Sequence, residues 1–375
     1  MPALTTEMTR LPPDWTRDVA TLWRRLEGSA DPSFFQSWTW LGCDAAMRFN
    51  RPVLLTTREA GEVVGAALFN RSHPFGLWWL HETGRSRDDA VFIEHNGPLV
   101  SGSAQERSDR LVSILGQAVR LGRAVHLSGV SDEVLAAAER TGAVVDRLRS
   151  EAAPFIDLSR MEDKAGYFDQ LSRNTRQQLR RAERHYGCVR VVRADTGAEG
   201  LIFFGELVAL HTKSWEARGL PGGFQTDAVL RFHRAMIPRG ITAGEIDLFR
   251  IEGGAGVIGY LYNFRRLGRV FAYQSGFDYD GNSAQFKPGL TCHVAAIGWY
   301  LERSAQSYDF LAGDSQYKRS LSNAQNTLHW LVMARSIHPR AWLTHARRLK
   351  RSGVALLLHP PSRPREPLLL GDDGC

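Results

Sequence analysis

The sequence predicts an α/β fold made of two similar halves, each with a mixed, mostly antiparallel twisted sheet flanked by helices. Helical and strand patterns alternate along the chain. A β-hairpin pattern occurs once in each half, and two short stretches recur in matching places. At 375 residues, the chain is long enough for two domains that each bury a core.

The first half is predicted to start with helices and to continue as a hairpin, a strand, a helix and a strand. Apolar residues at helical spacing mark the helices, and β-branched residues around a glycine-containing turn mark the hairpin. After a short tail come helical stretches at 15–28 and 32–49, the hairpin at 51–72, a strand at 78–82, a helix at 106–122 and a strand at 124–130.

The second half repeats this order, with two further helices before its strands. The first helix ends at Gly187, which can adopt a left-handed cap. We expect "YDFL" at 308–311 to be the last buried strand of this half. The predicted segments are helices at 167–187, 201–219 and 228–236, a strand at 188–194, three strands within 245–277, a helix at 288–304 and a strand at 308–314.

Two sequence matches indicate that the halves arose by duplication. "EVVGAALFN" at 62–70 resembles "GVIGYLYNF" at 256–264 and aligns Gly65 with Gly259. "AVHLSGV" at 124–130 resembles "YDFLAGD" at 308–314 and aligns Gly129 with Gly313. We therefore predict domains at 1–157 and 158–337, followed by a basic helix and a disordered, proline-rich tail at 338–375.

The composition argues against a membrane protein, a secreted disulfide-rich protein and a cysteine-based metal site. No apolar run reaches the roughly 18 residues that a membrane helix needs, and the N-terminus lacks a signal-peptide pattern. We therefore expect a cytoplasmic protein. The four cysteines are far apart and show no metal-ligand spacing, so neither a disulfide framework nor a metal site is expected.

Positive charge is concentrated in two segments of a chain whose formal net charge is +7. Residues 173–193 contain seven arginines against the single acid Glu183, and residues 335–351 contain no acid. Such surfaces suit phosphates, nucleic acid or anionic lipid. A solvated helix face is the alternative interpretation.

The start of the predicted helix at 288–304 has features of an anion site. Pro288 favours the first helical turn, and Gly289 carries no Cβ to keep a ligand from the backbone. The free N–H groups of a helix start attract phosphates, and Lys287 would add a charge. A helix start without a ligand is the alternative.

Five segments together resemble the GNAT-type acyltransferase domain of the CelD-like family, which is named for cellulose biosynthesis. That family is related to the FemAB-type peptidyltransferases, which carry two GNAT-like halves in one chain. The resemblance covers roughly residues 155–335. It is carried by "LHTKSWEARGLPGGF", "VIGYLYNF", "AYQSGFDYD", "FKPGL" and "YDFLAGDSQYK".

The resemblance implies two tandem GNAT-like domains and acetyl-CoA or another acyl-CoA as co-substrate, without a metal. The activity implied is N-acetyl or other acyl transfer to an amine of a sugar, an amino compound or a cell-envelope or polysaccharide precursor. The strand around Gln274, Ser275 and Gly276 would meet the pantetheine arm. The helix start would bind the pyrophosphate through Lys287, Pro288, Gly289 and Leu290.

Acyl transfer needs a positioned acceptor, a group that removes its proton and donors for the developing negative charge. Asp314 is the candidate base or acceptor-orienting group, and Asp309 could replace it. Tyr317 is the candidate acid toward the leaving thiolate, and Lys318 could bind phosphate or stabilise negative charge. A turn capped by Asp314 is the structural alternative.

Other candidates concern the acceptor. His211 and Trp215 lie four residues apart and would line an acceptor cleft or belong to the core. His95 and Asn96 are weaker candidates for a second cleft wall. The corresponding first-half turn, "LSGVSDE", lacks the tyrosine and lysine, so the first half would support the second or bind the acceptor.

Two other functions fit the sequence. A FemAB-like enzyme would take an aminoacyl group from tRNA, and the arginine-rich helix would contact the RNA backbone. A non-catalytic binding protein on the same fold would contact the membrane surface through the basic C-terminal segment. The sequence alone identifies neither the donor nor the acceptor.

Overall fold

In the computed structural model, residues 3–71, 76–161, 163–279 and 286–336 are described. They form one continuous 13-stranded sheet with helices packed on it. The predicted basic helix and tail at 338–375 lie outside these ranges.

The strands range from two residues in β5 to 14 in β7, and most pairs are antiparallel. They are β1 (Thr5–Arg10), β2 (Pro52–Glu59), β3 (Glu62–Arg71), β4 (Leu77–Leu80), β5 (Leu99–Val100), β6 (Ala124–Val130), β7 (Val144–Asp157), β8 (Arg190–Arg193), β9 (Ile246–Gly253), β10 (Gly256–Arg266), β11 (Arg269–Phe277), β12 (Ser307–Asp309) and β13 (Ala324–Ala334).

Several helices begin at a Ser, Thr or Asp whose side chain accepts a backbone N–H, as at Ser103, Thr196 and Thr226. The helices are α1 (Thr16–Glu27), α2 (Trp38–Leu41), α3 (Ala45–Arg48), α4 (Ala104–Gly122), α5 (Asp132–Arg140), α6 (Lys164–Gln170), α7 (Arg173–Tyr186), α8 (Gly197–Glu216), α9 (Asp227–Thr242), α10 (Pro288–Leu301) and α11 (Gln316–Leu321).

The two halves share one strand topology. In each, a hairpin (β2–β3 or β9–β10) is followed by a strand that pairs in parallel with a later strand, β4 with β6 and β11 with β12. The aligned residues Gly65 and Gly259 each follow a β-bulge, at Val64 and Ile258. The predicted fold class, two similar halves of mixed, mostly antiparallel sheet flanked by helices, is confirmed.

The halves exchange their last strands, which the sequence did not indicate. The order along the sheet is β1-β2-β3-β4-β6-β13-β7-β12-β11-β10-β9-β8. Thus β13 of the second half pairs with β6 of the first, and β7 of the first pairs with β12 of the second. The prediction that "YDFL" is the last buried strand is wrong, because β13 follows it.

An aromatic cluster joins the halves on one face of the sheet. The Phe34 ring stacks on Phe264 at 4.1 Å between centroids, and Phe35 lies edge-on to Phe271. The predicted single helix at 32–49 is wrong here, because Ser33 and Ser37 cap separate short turns. The predicted tail at the N-terminus also differs, since β1 pairs with β2.

Candidate active site

Strands β11 and β12 separate after a short parallel contact and leave a V-shaped gap. They pair only from Arg269 and Ser307 to Phe271 and Asp309, whereas β11 continues to Phe277. The backbone of residues 272–277 therefore has no β12 partner on that side. Gln274, Ser275 and Gly276, the predicted pantetheine contacts, all lie in this stretch.

A β-bulge at Tyr273 bends β11 beside the gap. Tyr262 of β10 faces Gln274, whereas Asn263 faces Ala272, so Tyr273 is the extra residue. Bulges bend a strand and increase its twist. The Tyr273 hydroxyl donates to the carbonyl of Val91 in the first half, which ties the bulge to the other half.

His211 is a buried structural residue that fixes this strand. Its Nδ1 donates to the Ser275 carbonyl at 2.9 Å, because Nε2 must accept the Gly223 N–H, also at 2.9 Å. Burial lowers the pKa of His211, as expected for a neutral ring. Trp215 lies beside it, with ring centroids 5.6 Å apart.

The two predicted glycine contacts have packing roles. A Cβ on Gly276 would lie 2.4 Å from the Leu207 carbonyl oxygen of α8. A Cβ on Gly289 would lie 2.9 Å from the Phe277 ring. Helix and ring packing therefore account for both glycines without a ligand.

The start of α10 is shaped by a left-handed residue. Lys287 has a φ of 49° and precedes Pro288 in the first turn. Pro288 and Leu290 are buried. Phe286 stacks on His185 of α7 with 3.6 Å between ring centroids, so α7 lies beside the predicted pyrophosphate site.

The turn after β12 is held by two charged side chains. Asp309 is buried, and its Oδ1 accepts the Leu311 N–H at 2.7 Å. Lys318 Nζ donates to the carbonyl oxygens of Leu311 and Ala312, at 3.2 and 2.7 Å. Burial lowers the pKa of Lys318, while nearby carboxylates oppose that shift.

The two other predicted catalytic residues differ in their surroundings. Asp314 is exposed and forms a 2.5 Å ion pair with Arg319. Tyr317 is 42% exposed, and its ring stacks on His293 with 5.6 Å between centroids. Desolvation, with a smaller contribution from Tyr279, raises the pKa of Tyr317 to about 12.

The segment 91–96 of the first half reaches this turn. Glu94 Oε2 accepts the Ala312 N–H at 2.6 Å, and His95 Nε2 lies 3.0 Å from Asp309 Oδ2. The sequence predicts that His95 forms a second wall of a cleft. In the structure, His95 lies against Asp309. The sequence does not mark Glu94 or His293 as site residues, because Glu94 belongs to no motif and His293 lies within the predicted helix at 288–304.

Asn96 occupies the corresponding gap in the first half. Its backbone N–H donates to Gly129 O of β6 at 3.0 Å, and its Nδ2 donates to Leu80 O of β4 at 3.2 Å. Its Oδ1 accepts from His81 Nδ1 at 2.7 Å. The gap between β4 and β6 is therefore filled by the chain itself.

A cleft of about 270 Å³ lies between the halves. Gly223 lines it, and a Cβ on that glycine would lie 3.1 Å from Gln274 Nε2, so the cleft adjoins β11. The lining residues are Ser86, Arg87, Ala90, Phe92, Gly222, Gly223, Gln225, Thr226 and Val229.

Two kinds of feature are absent from residues 3–71, 76–161, 163–279 and 286–336. Within those ranges, no group of three or more His, Cys, Asp or Glu side chains could hold a metal ion. No helix there has the length and apolar character to cross a membrane.

Comparisons with known proteins show the fold. Residues 170–319 match the acetyltransferase (GNAT) domain family, and no curated protein matches the chain. The crystal structure of FemX superposes with a TM-score of 0.58 at 11% identity, covering 86% of this chain and 96% of that one.

Two other solved structures give similar values. A C-terminal domain assigned to a lysylphosphatidylglycerol synthetase from Agrobacterium fabrum has a TM-score of 0.53 at 12% identity, covering 89% of this chain and 96% of its own. A conserved protein of unknown function from Bacteroides thetaiotaomicron has a TM-score of 0.51 at 10% identity, covering 88% of this chain and 100% of its own.

Proposed function

We propose that the protein is an acyltransferase whose donor lies in the gap between β11 and β12. The observation that carries this proposal is the difference between the halves. Asn96 fills the first-half gap, whereas the second-half gap is bordered by Asp309 at the end of β12 and by Tyr317 and Lys318 of α11. Only the second half combines the gap with titratable groups suited to acyl transfer.

In this proposal, Tyr317 donates its proton to the leaving group as the donor bond breaks. A tyrosine holds its proton at neutral pH because its ordinary pKa is about 10, so Tyr317 is protonated when the donor binds. Lys318 fixes the turn through two carbonyls and adds positive charge near the developing oxyanion. Asp314, which is exposed beside Arg319, orients the acceptor.

Acetyl-CoA is the donor that we propose first. The pantetheine arm would run along Gln274, Ser275 and Gly276, and the pyrophosphate would meet the N–H groups at the start of α10. The acceptor would be an amine of a sugar, an amino compound or a cell-envelope or polysaccharide precursor. Membership of the CelD-like family and the domain division at residue 157 belong to the same proposal.

The test is ligand binding followed by turnover. A ligand that binds only the native state raises the melting temperature, so acetyl-CoA and coenzyme A should each stabilise the protein. Lys287→Glu should weaken the shift by placing a negative charge at the start of α10, with Arg24→Glu on the exposed side of α1 as the control. Unchanged melting with both ligands would remove acyl-CoA from the proposal.

An aminoacyl-tRNA donor is a second candidate, favoured by the arginine surface of α7. Arg180, Arg181 and Arg184 are exposed, and none forms an ion pair with a carboxylate in the described ranges. By contrast, Arg107 and Arg110 of α4 pair with Glu133 and Glu59. Exposed arginines without carboxylate partners suit a phosphate backbone.

A binding assay separates the two donors. For the second candidate, tRNA should bind with an affinity that falls steeply as salt rises, because bound phosphates release counterions. A triple change of Arg180, Arg181 and Arg184 to Gln should weaken binding, whereas Arg24→Gln on exposed α1 should not. If neither acetyl-CoA nor tRNA binds, a non-catalytic role becomes the better explanation.

A further inference from the structure

Glu94 belongs to the first half, yet its carboxylate lies against the catalytic turn of the second. Its Oε2 accepts the Ala312 N–H at 2.6 Å, so the side chain has a fixed position. Its other oxygen, Oε1, accepts no hydrogen bond from any residue in the described ranges. One carboxylate oxygen is thus held by the turn while the other is available.

The segment that carries Glu94 connects the cleft with the gap. Phe92, two residues earlier, is half exposed and lines the cleft between the halves. Val91 accepts the Tyr273 hydroxyl at the bulge of β11. Since Ala312 borders the gap, the Glu94 carboxylate lies at the edge of the space proposed for the donor, two residues along the chain from the cleft-lining Phe92.

Charged and titratable groups from several elements face Glu94. They are Asp309 of β12, Lys318 of α11, Tyr273 of β11 and the adjacent His95. Burial raises the pKa of Glu94, although the Ala312 N–H, His95 and Lys318 partly oppose this shift. A carboxylate shifted toward neutral pH is a stronger base than an exposed one.

We propose that Glu94 is the general base that removes the proton from the acceptor amine, so that the first half supplies a catalytic residue. This inference rests on the proposed function. The amine nitrogen forms a C–N bond with the acyl carbon while a proton passes from nitrogen to Glu94. The C–S bond breaks, and its electron pair leaves on sulfur, which takes the Tyr317 proton.

The test compares Glu94→Gln with Glu94→Ala in the full chain. Gln keeps an acceptor for the Ala312 N–H but cannot take a proton, whereas Ala removes both and leaves a cavity. The assay is release of free coenzyme A from acetyl-CoA, with water alone and with glucosamine, lysine or spermidine. Glu139→Gln, an exposed first-half carboxylate paired with Arg147, is the matched control.

If Glu94 is the base, Glu94→Gln should lower turnover roughly 100-fold, the lower end of the usual contribution of a general base. The KM for acetyl-CoA should stay unchanged. The wild-type rate should rise with pH through the pKa of Glu94, and Glu94→Gln should lack this rise. Added formate should restore activity to Glu94→Ala, and Glu139→Gln should behave as the wild type.

Three results would overturn the inference. The first is wild-type turnover and pH profile in Glu94→Gln, even if Glu94→Ala is inactive, because Glu94 would then only hold the turn. The second is a Glu94→Ala variant that folds but does not respond to formate. The third is a wild type that binds acetyl-CoA and releases no coenzyme A with any acceptor. If the wild type does not bind acetyl-CoA, the acyl-CoA proposal is wrong. The assignment of Glu94 as general base, which rests on that proposal, is then wrong as well.

Discussion

The Nε2 atom of His95 lies 3.0 Å from Oδ2 of Asp309, and this ion pair joins a loop of the first half to a strand of the second. Burial alone would lower the pKa of His95, but Asp309 and Glu94 together raise it above its ordinary value. The native protein therefore binds this proton more tightly than the unfolded chain does. The resulting stabilisation is complete below about pH 6.5, the unfolded pKa, and is lost as pH rises through the raised native pKa.

His95→Gln should therefore destabilise the protein most at low pH. At pH 6 we expect the free energy of unfolding to fall by roughly 1–1.5 kcal/mol, since each unit of pKa difference between the native and unfolded states is worth about 1.4 kcal/mol, and by less at pH 9. Urea unfolding at both pH values measures this difference. His185→Gln, at an exposed histidine of α7, is the control, and an equal loss at both pH values would contradict the prediction.

Acid should destabilise the protein through other histidines. Burial lowers the pKa of His81, His233 and His293 to about 3 each. The unfolded chain takes up these protons first, so stability should fall as pH drops below about 6.5. Each histidine adds a slope of up to about 1.4 kcal/mol per pH unit. Between pH 6 and 4, His233→Gln should reduce the slope of the unfolding free energy against pH by the equivalent of about one proton. Acid titration of the unfolding free energy measures this slope, and an unchanged slope would contradict the prediction.

Asn96 should be important for stability. Asn96→Ala removes the side-chain bonds to Leu80 O, His81 Nδ1 and the Gly97 N–H, and it leaves buried groups without partners. We expect a loss of roughly 2–4 kcal/mol, because each unsatisfied buried group costs about 1–3 kcal/mol. Chemical denaturation measures the loss. Asn326→Ala on an exposed part of β13 should change stability by less than about 0.5 kcal/mol.

Tyr317→Phe should lower turnover at least tenfold with little change in stability, because the ring can still stack on His293 while the acid is lost. Asp314→Asn should also lower turnover at least tenfold. Both are measured as the rate of coenzyme A release at saturating acetyl-CoA. Arg319→Gln removes the partner of Asp314 and keeps the carboxylate, so it serves as the control. Wild-type rates in both variants would remove the turn from the mechanism.

The exchange of β7 and β13 should make the halves interdependent. Without β13, the edges of β6 and β7 lose their partner, and exposed strand edges promote aggregation. We expect fragments 1–160 and 161–375 to be insoluble when expressed separately and to copurify when expressed together. Gel filtration after coexpression tests this, and a monomeric, folded first fragment would contradict it.

Much of the fold could be predicted because it depends on local patterns. The hairpins β2–β3 and β9–β10 follow from short apolar runs around glycine turns, and α4, α8 and α10 follow from helical spacing and caps. Both patterns act between residues a few positions apart. The sequence match that aligned Gly65 with Gly259 predicted a duplication, and in the structure each of these glycines follows a β-bulge.

The sequence by itself determined the α/β class, the repeated order of strands and helices and the grouping of Asp314, Tyr317 and Lys318, although the last two lie in helix α11 and not in the predicted turn. Only the tertiary structure decided that Asn96 fills the gap between β4 and β6, while the gap between β11 and β12 has no such filling in the described part of the chain. It also decided which first-half residues contact the turn after β12. Glu94 contacts Ala312 across 218 positions, and β13 pairs beside β6 rather than within its own half. Such contacts depend on how the two halves of the sheet join and on the burial of aromatic side chains between the halves. No local periodicity in the sequence encodes that arrangement.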